Sequence, residues 1–269
     1  MRKGKGNEKE RKILRKKRER KIFSPPLHLL FPHVFFEKER KRKRERKKIR
    51  KMKEKIKLTA AHLKLIAAVT MLIDHIGAIL FPGIAILRII GRLSFPLYAF
   101  LIGEGMRKTK NKKKYFLNIF LTFLSFQFIS FLVDKEFEFC VLFGFLLSIL
   151  FSFVWEWSRK KWGTRYLYPI LMGFLCFALT SVFPSSYSFF SFLLPLIPYF
   201  IEGKWERIGV FGLVLFFLGF FYAYQFYALF SLLFLGMYGG ERGKRRGKYF
   251  FYVFYPLHYA VLGIIAWLI

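Results

Sequence analysis

Residues 63–87, LKLIAAVTMLIDHIGAILFPGIAIL, bury Asp74 and His75 inside an apolar run, and residues 87–105, LRIIGRLSFPLYAFLIGEG, follow directly with Arg88, Arg92 and Glu104. The two runs are long enough to be adjacent helical spans of a bilayer. A charged side chain at mid-bilayer depth costs about 2.5 to 3.5 kcal/mol, so several in two neighbouring spans call for a reason, and the first reason to consider is a site.

The rest of the chain agrees with a membrane reading. Aromatic residues make up 21% of it, 37 of them Phe, and its charges are gathered in clusters between apolar stretches. From residue 58 to 269 it reads as apolar segments joined by short polar loops, without the alternation that marks strands. Helices are the open architecture that satisfies its own backbone in lipid. The expectation is an all-α polytopic membrane protein with about nine transmembrane helices, within a range of eight to ten: 58–80, 84–106, 115–133, 138–157, 166–183, 187–201, 208–222, 226–238 and 249–269. The sixth, seventh and eighth fall short of the roughly 20 residues of a perpendicular span, so thinning of the bilayer, burial in the bundle or re-entry are the alternatives for them.

Lys and Arg near span ends concentrate on the cytoplasmic side. The connecting segments alternate between basic (the N-terminal tail, RKTKNKKK, SRKKWGTR, GGERGKRRGK) and neutral or acidic (FPG, DKEFE, PSSY, YAYQ), with EGKWER mixed. That pattern predicts a cytoplasmic N-terminus, a C-terminus on the other side and a multi-pass protein, with membrane lipids as its surroundings.

The net charge of +31 comes largely from residues 1–57, with 26 Lys or Arg against 7 Glu. This tail has no recognisable fold, and its aromatics sit in one block, IFSPPLHLLFPHVFF, instead of between charges. A polybasic juxtamembrane segment is drawn to anionic lipid, so a nucleic-acid partner is not expected. The tail is read as disordered, and Met52, opening MKEKIKLTAAHLKL, is an alternative start that would leave 1–51 outside the working protein. Pro25, Pro26 and Pro32 make the apolar block a poor membrane helix. Cys140 and Cys176 lack paired spacing and read as free thiols without a bridge or metal. No phosphate loop, dinucleotide fingerprint, HExxH or GxSxG occurs, so no bound cofactor is expected.

Geometry limits which groups of the first hairpin meet. Asp74 and His75 lie near the far end of the first span, level with Arg88 and Arg92, which share a face four residues apart. Successive helical residues point about 100° apart, so Asp74 is poorly placed to orient His75 and is expected to pair with Arg88 or Arg92. His75 is left over as a general base and acid. Glu104 is flanked by Gly103 and Gly105, which bring another helix or a ligand close, and Arg107 or Lys108 is its expected partner. Pro96 is expected to kink the second span and free a carbonyl near its centre. Pro256 and His258 sit midway along the last span, and His62 is assigned no role.

The strings LKLIAAVTMLIDHIGAILFP, LRIIGRLSFPLYAFLIGEGMRKTKNKKKY and FFYVFYPLHYAVLGII resemble the TraX family of bacterial membrane proteins. The resemblance implies a polytopic protein similar to membrane acyltransferases and linked to N-terminal acetylation of conjugative pilin. It singles out Asp74, His75, Gly91, Arg92, Phe95, Pro96, Glu104, Tyr255, Pro256 and His258. On this reading His75 and Asp74 are the catalytic candidates, and Arg88, Arg92, Glu104 and His258 the candidates for binding substrate or acyl donor. Gly91, Phe95, Pro96, Gly103, Gly105, Tyr255 and Pro256 form the structural motif. The co-substrate implied by the family is acetyl-coenzyme A or another acyl thioester, and the acceptor a protein, pilin-like at its N-terminus, or a surface glycan or lipid. The alternative is a non-catalytic proton-coupled transporter or an envelope assembly factor using the same buried charges.

Overall fold

A computed structural model describes residues 37, 40–45, 57–135, 138–162, 166–183, 187–243 and 249–269. The chain divides into two units, 1–56 and 57–269. In the first, residues 40–45 are helical and Lys41 Nζ lies 3.4 Å from Glu37 one turn away. The expected disorder of the tail and the Met52 start otherwise fall outside the described residues.

The second unit is all-helical among its described residues. α1 (Ala60–Ile79) opens with a capping box: the Thr59 hydroxyl accepts from the His62 amide at 3.4 Å, and His62 Nδ1 accepts from the Thr59 amide at 3.3 Å. His62, assigned nothing by sequence, therefore closes a helix end whose amides have no partner within the helix. After a short Pro82-Gly83 turn the chain reverses into α2 (Ala85–Gly91) and α3 (Ser94–Lys108). Together these cover the expected second span, but the interruption is at Arg92-Leu93, not at Pro96. Pro96 occupies the first turn of α3, where its missing N–H is no loss. That is the correction to the expected mid-helix kink.

α4 (Lys112–Asp134) begins with the Asn111 side chain accepting from the Lys114 amide at 2.9 Å. Then come α5 (Leu142–Trp162), α6 (Leu167–Val182), α7 (Ser188–Phe200), α8 (Lys204–Phe221), a 3₁₀ segment (Ala223–Phe230) continued by α9 (Ser231–Met237), and α10 (Phe250–Leu268). α3 is the axial helix, packed on α1 and α7; α10 lies against α4 and α1. Gly103 permits the closest of these approaches, because a Cβ there would strike the Pro195 carbonyl of α7. Leu58 and Tyr238 form an isolated bridge, with Leu58 N donating to the Met237 carbonyl and Gly239 N to the Leu58 carbonyl, both at 2.9 Å. This fastens the start of α1 to the end of α9 at the end of the bundle that carries the basic 107–114 loop, called the basic end below.

The distribution of polarity is reversed relative to a water-soluble bundle. Phe128, Phe174 and Phe220 are each about two-thirds exposed, whereas Arg92, Glu104, Arg207, Gln225 and His258 are buried. Apolar surface outward and charge inward is what a lipid solvent selects. Five helices are long and apolar enough to cross a membrane, 60–79, 85–108, 112–134, 142–160 and 250–268. Shorter apolar helices cover 167–182, 189–200 and 223–237. The chain is thus an all-helical protein of membrane type with five helices of spanning length among the described residues, where nine spans were expected.

Candidate functional site

Among the described residues a polar cluster sits at each end of α3, and Glu156 with Lys112 and Tyr199 forms a more exposed third. The first gathers around the α1–α2 hairpin. Asp74 pairs with both arginines that sequence offered as alternatives: its Oδ1 receives Arg92 Nη2 at 2.6 Å and its Oδ2 lies 3.0 Å from Arg88 Nη1. Arg88 Nη1 also donates to the Asp74 carbonyl at 3.0 Å, and Arg92 Nε donates to the Arg88 carbonyl at 3.0 Å where α2 ends. A carboxylate and two guanidinium groups so arranged lock the hairpin. Gly91 makes the arrangement possible, since a Cβ there would collide with the Asp74 side chain.

Arg92 reaches further, donating from Nη1 to the Tyr187 hydroxyl at 2.8 Å. Tyr187 takes a left-handed backbone, φ 61°, which costs a bulky residue on the order of 1 to 3 kcal/mol. Its ring stacks on Phe95 with centroids 4.3 Å apart, so this contact and the Arg92 hydrogen bond hold it there. The buried Gln225 of the 3₁₀ segment faces the same hydroxyl, but its amide completes no hydrogen bond.

His75 stands apart from the Asp74 lock, as the 100° argument predicts, and meets another element. Its Nδ1 is 2.7 Å from His258 Nε2 on α10, with the rings partly stacked at 4.9 Å. The tautomers follow from the neighbour: His258 Nδ1 lies 2.8 Å from the Phe254 carbonyl, which can only accept, so in the neutral ring Nδ1 carries the hydrogen and Nε2 accepts. His75 Nδ1 is then the donor. His75 Nε2 keeps its lone pair and has no hydrogen-bond partner among the described residues. Tyr259 places its ring at 5.1 Å, nearly perpendicular to His75, and its hydroxyl donates to Asp134 at the end of α4.

The second cluster lies at the basic end and centres on Glu104, 3% exposed. Arg107 Nη2 donates to its Oε1 at 2.6 Å, and Lys108 and Arg207 complete a three-cation shell. The Tyr238 hydroxyl donates to Oε2 at 3.2 Å. Arg207 is anchored in turn to the Ile201 and Glu202 carbonyls at 3.1 and 2.8 Å. Glu104 was expected to pair with Arg107 or Lys108; it takes both, and α8 supplies a third cation. Gly105 beside it leaves room for the Tyr115 ring of α4.

A family model described as TraX protein matches residues 59–266. The chain belongs to the TraX family. It is also similar to the uncharacterized protein RP591 of Rickettsia prowazekii (strain Madrid E), 30% identical over 167 aligned positions that take in 50% of this chain and 66% of the relative, just under two thirds of its length. No solved structure matches.

The TraX residues singled out by resemblance divide between the clusters and their supports. Asp74 and Arg92 form the lock at the far end of α3, His75 pairs instead with His258 of α10, and Glu104 sits at the other end of α3. Phe95 and Gly91 position the first cluster. Tyr255 packs edge-on against Phe126 at 4.9 Å and lies 6.2 Å from His258, one turn before it, while Pro256 is buried in the same helix. Sequence reasoning missed Tyr187, Gln225, Tyr259, Arg207 and Tyr238. Arg207 carried the one available signal, a charge at the start of an apolar segment; the others sat in loops or aromatic runs that resemble many others in this chain.

Proposed function

We propose that this TraX-family chain is a membrane-embedded acyltransferase of the bacterial cytoplasmic membrane, moving an acyl group, acetyl by family resemblance, from a cytoplasmic thioester to an amine or hydroxyl at the membrane. The basic end, with residues 107–114 and 240–243, faces the cytoplasm on this reading, in keeping with the concentration of Lys and Arg there. The observation that carries the proposal is the His75–His258 pair. It holds one imidazole by its Nδ1 and leaves the Nε2 lone pair unengaged in a low-dielectric interior, the arrangement a general base requires.

His75 Nε2 takes the proton of the acceptor nitrogen or oxygen as that atom forms its bond to the thioester carbonyl carbon. The tetrahedral intermediate collapses with cleavage of the carbon–sulfur bond, and His75 returns the proton to the departing thiolate. Throughout, His258 accepts from His75 Nδ1, fixing the ring and sharing the charge of the imidazolium. Arg88 and Arg92 supply fixed donors near the reacting carbonyl, where oxyanion stabilisation is worth about 2.7 to 4 kcal/mol per donor. Asp74 does not touch His75; its part is to hold the arginines.

Membranes carrying the full chain and supplied with radiolabelled acetyl-coenzyme A test this directly. Label reaching a protein, glycan or lipid with the wild type and not with His75→Ala supports transfer and delivers the acceptor, pilin-like or otherwise, for identification. Equal labelling by a correctly inserted His75→Ala chain refutes the base.

A further inference from the structure

Glu104 offers one negative charge to three cations, so its cluster keeps two positive charges in excess. Arg107 and Lys108 remain 28% and 30% exposed at their side chains, open to the basic end. Arg242 adds to the excess, its Nη2 donating to the Lys108 carbonyl at 2.5 Å, and it stands within electrostatic reach of the half-buried Lys64. Uncompensated charge at a membrane boundary attracts an anion, and guanidinium forks suit phosphate.

A second observation lies inside the bundle. Four buried side-chain polar atoms lack a hydrogen-bond partner among the described residues: Tyr98 Oη, Gln225 Nε2 and Oε1, and Ser231 Oγ. Such atoms are uncommon, and each carries a desolvation cost unless something satisfies it. The Tyr98 ring is turned toward Tyr255 of α10, 6.3 Å away, and the other three atoms belong to the 223–237 segment that packs on α3. These two elements join the Glu104 cluster to the Arg92 cluster. Gln225 faces Tyr187 at the far end, Ser231 follows six residues on, and Tyr238, just past α9, closes on Glu104 at the basic end. From Arg92 to Glu104 is about 18 Å of helix at 1.5 Å per residue.

We propose that the Glu104 cluster is the phosphate subsite of the acyl donor, and that the seam between α3 and residues 223–237 receives the donor's amide-bearing arm, which reaches toward His75. This rests on the acyl-transfer reading above. Glu104 holds the cations in place while the subsite is empty, and the surplus charge is then available to the incoming phosphates. The unpartnered Ser231 hydroxyl and the Gln225 amide offer the donors and acceptors that an amide chain needs. A phospholipid headgroup could neutralise the same cations, but its acyl tails would leave the seam's polar atoms unpaired.

The test uses the full chain in nanodiscs of neutral lipid, with three probes: coenzyme A, ADP as phosphates without the arm, and pantetheine as the arm without phosphates. Coenzyme A is expected to bind more tightly than either fragment. Arg107→Gln with Lys108→Gln should weaken coenzyme A and ADP at least tenfold, and the charge-keeping Arg107→Lys with Lys108→Arg should restore most of it. Ser231→Leu, which fills the seam, should bring coenzyme A down to the affinity of ADP and leave ADP unchanged. Coenzyme A binding indifferent to the double neutralisation, or abolished by exchanging the neutral lipid for phosphatidylglycerol, overturns the subsite; equal loss for coenzyme A and ADP in Ser231→Leu overturns the arm's route. Acetyl transfer that needs His75 but ignores Arg107 and Lys108 would sink the subsite alone. The predicted binding pattern without any transfer would sink the transfer reading alone.

Discussion

His75 Nδ1 and His258 Nε2 lie 2.7 Å apart although 183 residues separate them in the chain. The pair ties the first helix of the bundle to the last and makes the orientation of one imidazole depend on the other. If His75 is the base, its removal should lower transfer by about 10²- to 10⁴-fold with insertion intact. His258→Gln retains an acceptor at the same place and should keep much more activity than His258→Ala. Labelled-acetyl transfer by the three variants, normalised to protein in the membrane, checks the order; equal rates for the two His258 variants would remove the orienting role.

The Asp74 lock predicts a stability defect distinct from an activity defect. Removing one partner from a buried ion pair leaves uncompensated charge and costs about 3 to 5 kcal/mol. Asp74→Ala, stranding Arg88 and Arg92, should therefore unfold at clearly lower temperature in detergent than the wild type. Groups in one network couple by about 0.5 to 3 kcal/mol, so Asp74→Ala combined with Arg92→Ala should be less damaging than the sum of the singles. Strict additivity in a thermal-unfolding cycle would contradict the contact.

What sequence could supply here was the presence of charge in apolar helices, and what it could not supply was partner choice across the bundle. Asp74 and the arginines were legible because one short turn joins α1 to α2, so helical rise alone sets them level. The non-pairing of Asp74 and His75 was legible for the same reason. His258, Arg207 and Tyr187 come from elements far along the chain, and no periodicity says which distant helix packs on which. The break at Arg92-Leu93 was misplaced because a proline was read as the site of a kink, when in the first turn of a helix it is a start signal. The number of crossings stays harder to read, since short apolar helices such as α7 satisfy their backbones whether or not they span.

Gly91 offers a test of packing independent of any activity. A Cβ there meets Asp74, so Gly91→Ala must displace the carboxylate or the α2 backbone; overpacking of this kind typically costs about 1 to 3 kcal/mol. Gly83, in the turn just before, has no atom within 4 Å of where a Cβ would stand, and Gly83→Ala should be near neutral. Comparable melting temperatures for the two variants would show that Asp74 does not sit against the Gly91 backbone.

The strained tyrosine gives the last prediction. Tyr187→Phe keeps the stacking on Phe95 and loses only the hydroxyl that accepts from Arg92. A hydrogen bond to a charged group contributes about 1.5 to 3 kcal/mol, so the variant should be destabilised within that range. Tyr187→Gly removes ring and hydroxyl together but relieves the left-handed backbone, so part of its loss should be recovered. Hence Tyr187→Ala, which loses the same contacts and keeps most of the backbone strain, should be less stable than Tyr187→Gly. Thermal unfolding of the three variants in one detergent decides it: Tyr187→Ala at or above Tyr187→Gly would mean that φ at this position is not held positive, and the Arg92–Tyr187 contact would then lose its role in anchoring the α7 entrance to the Asp74 lock.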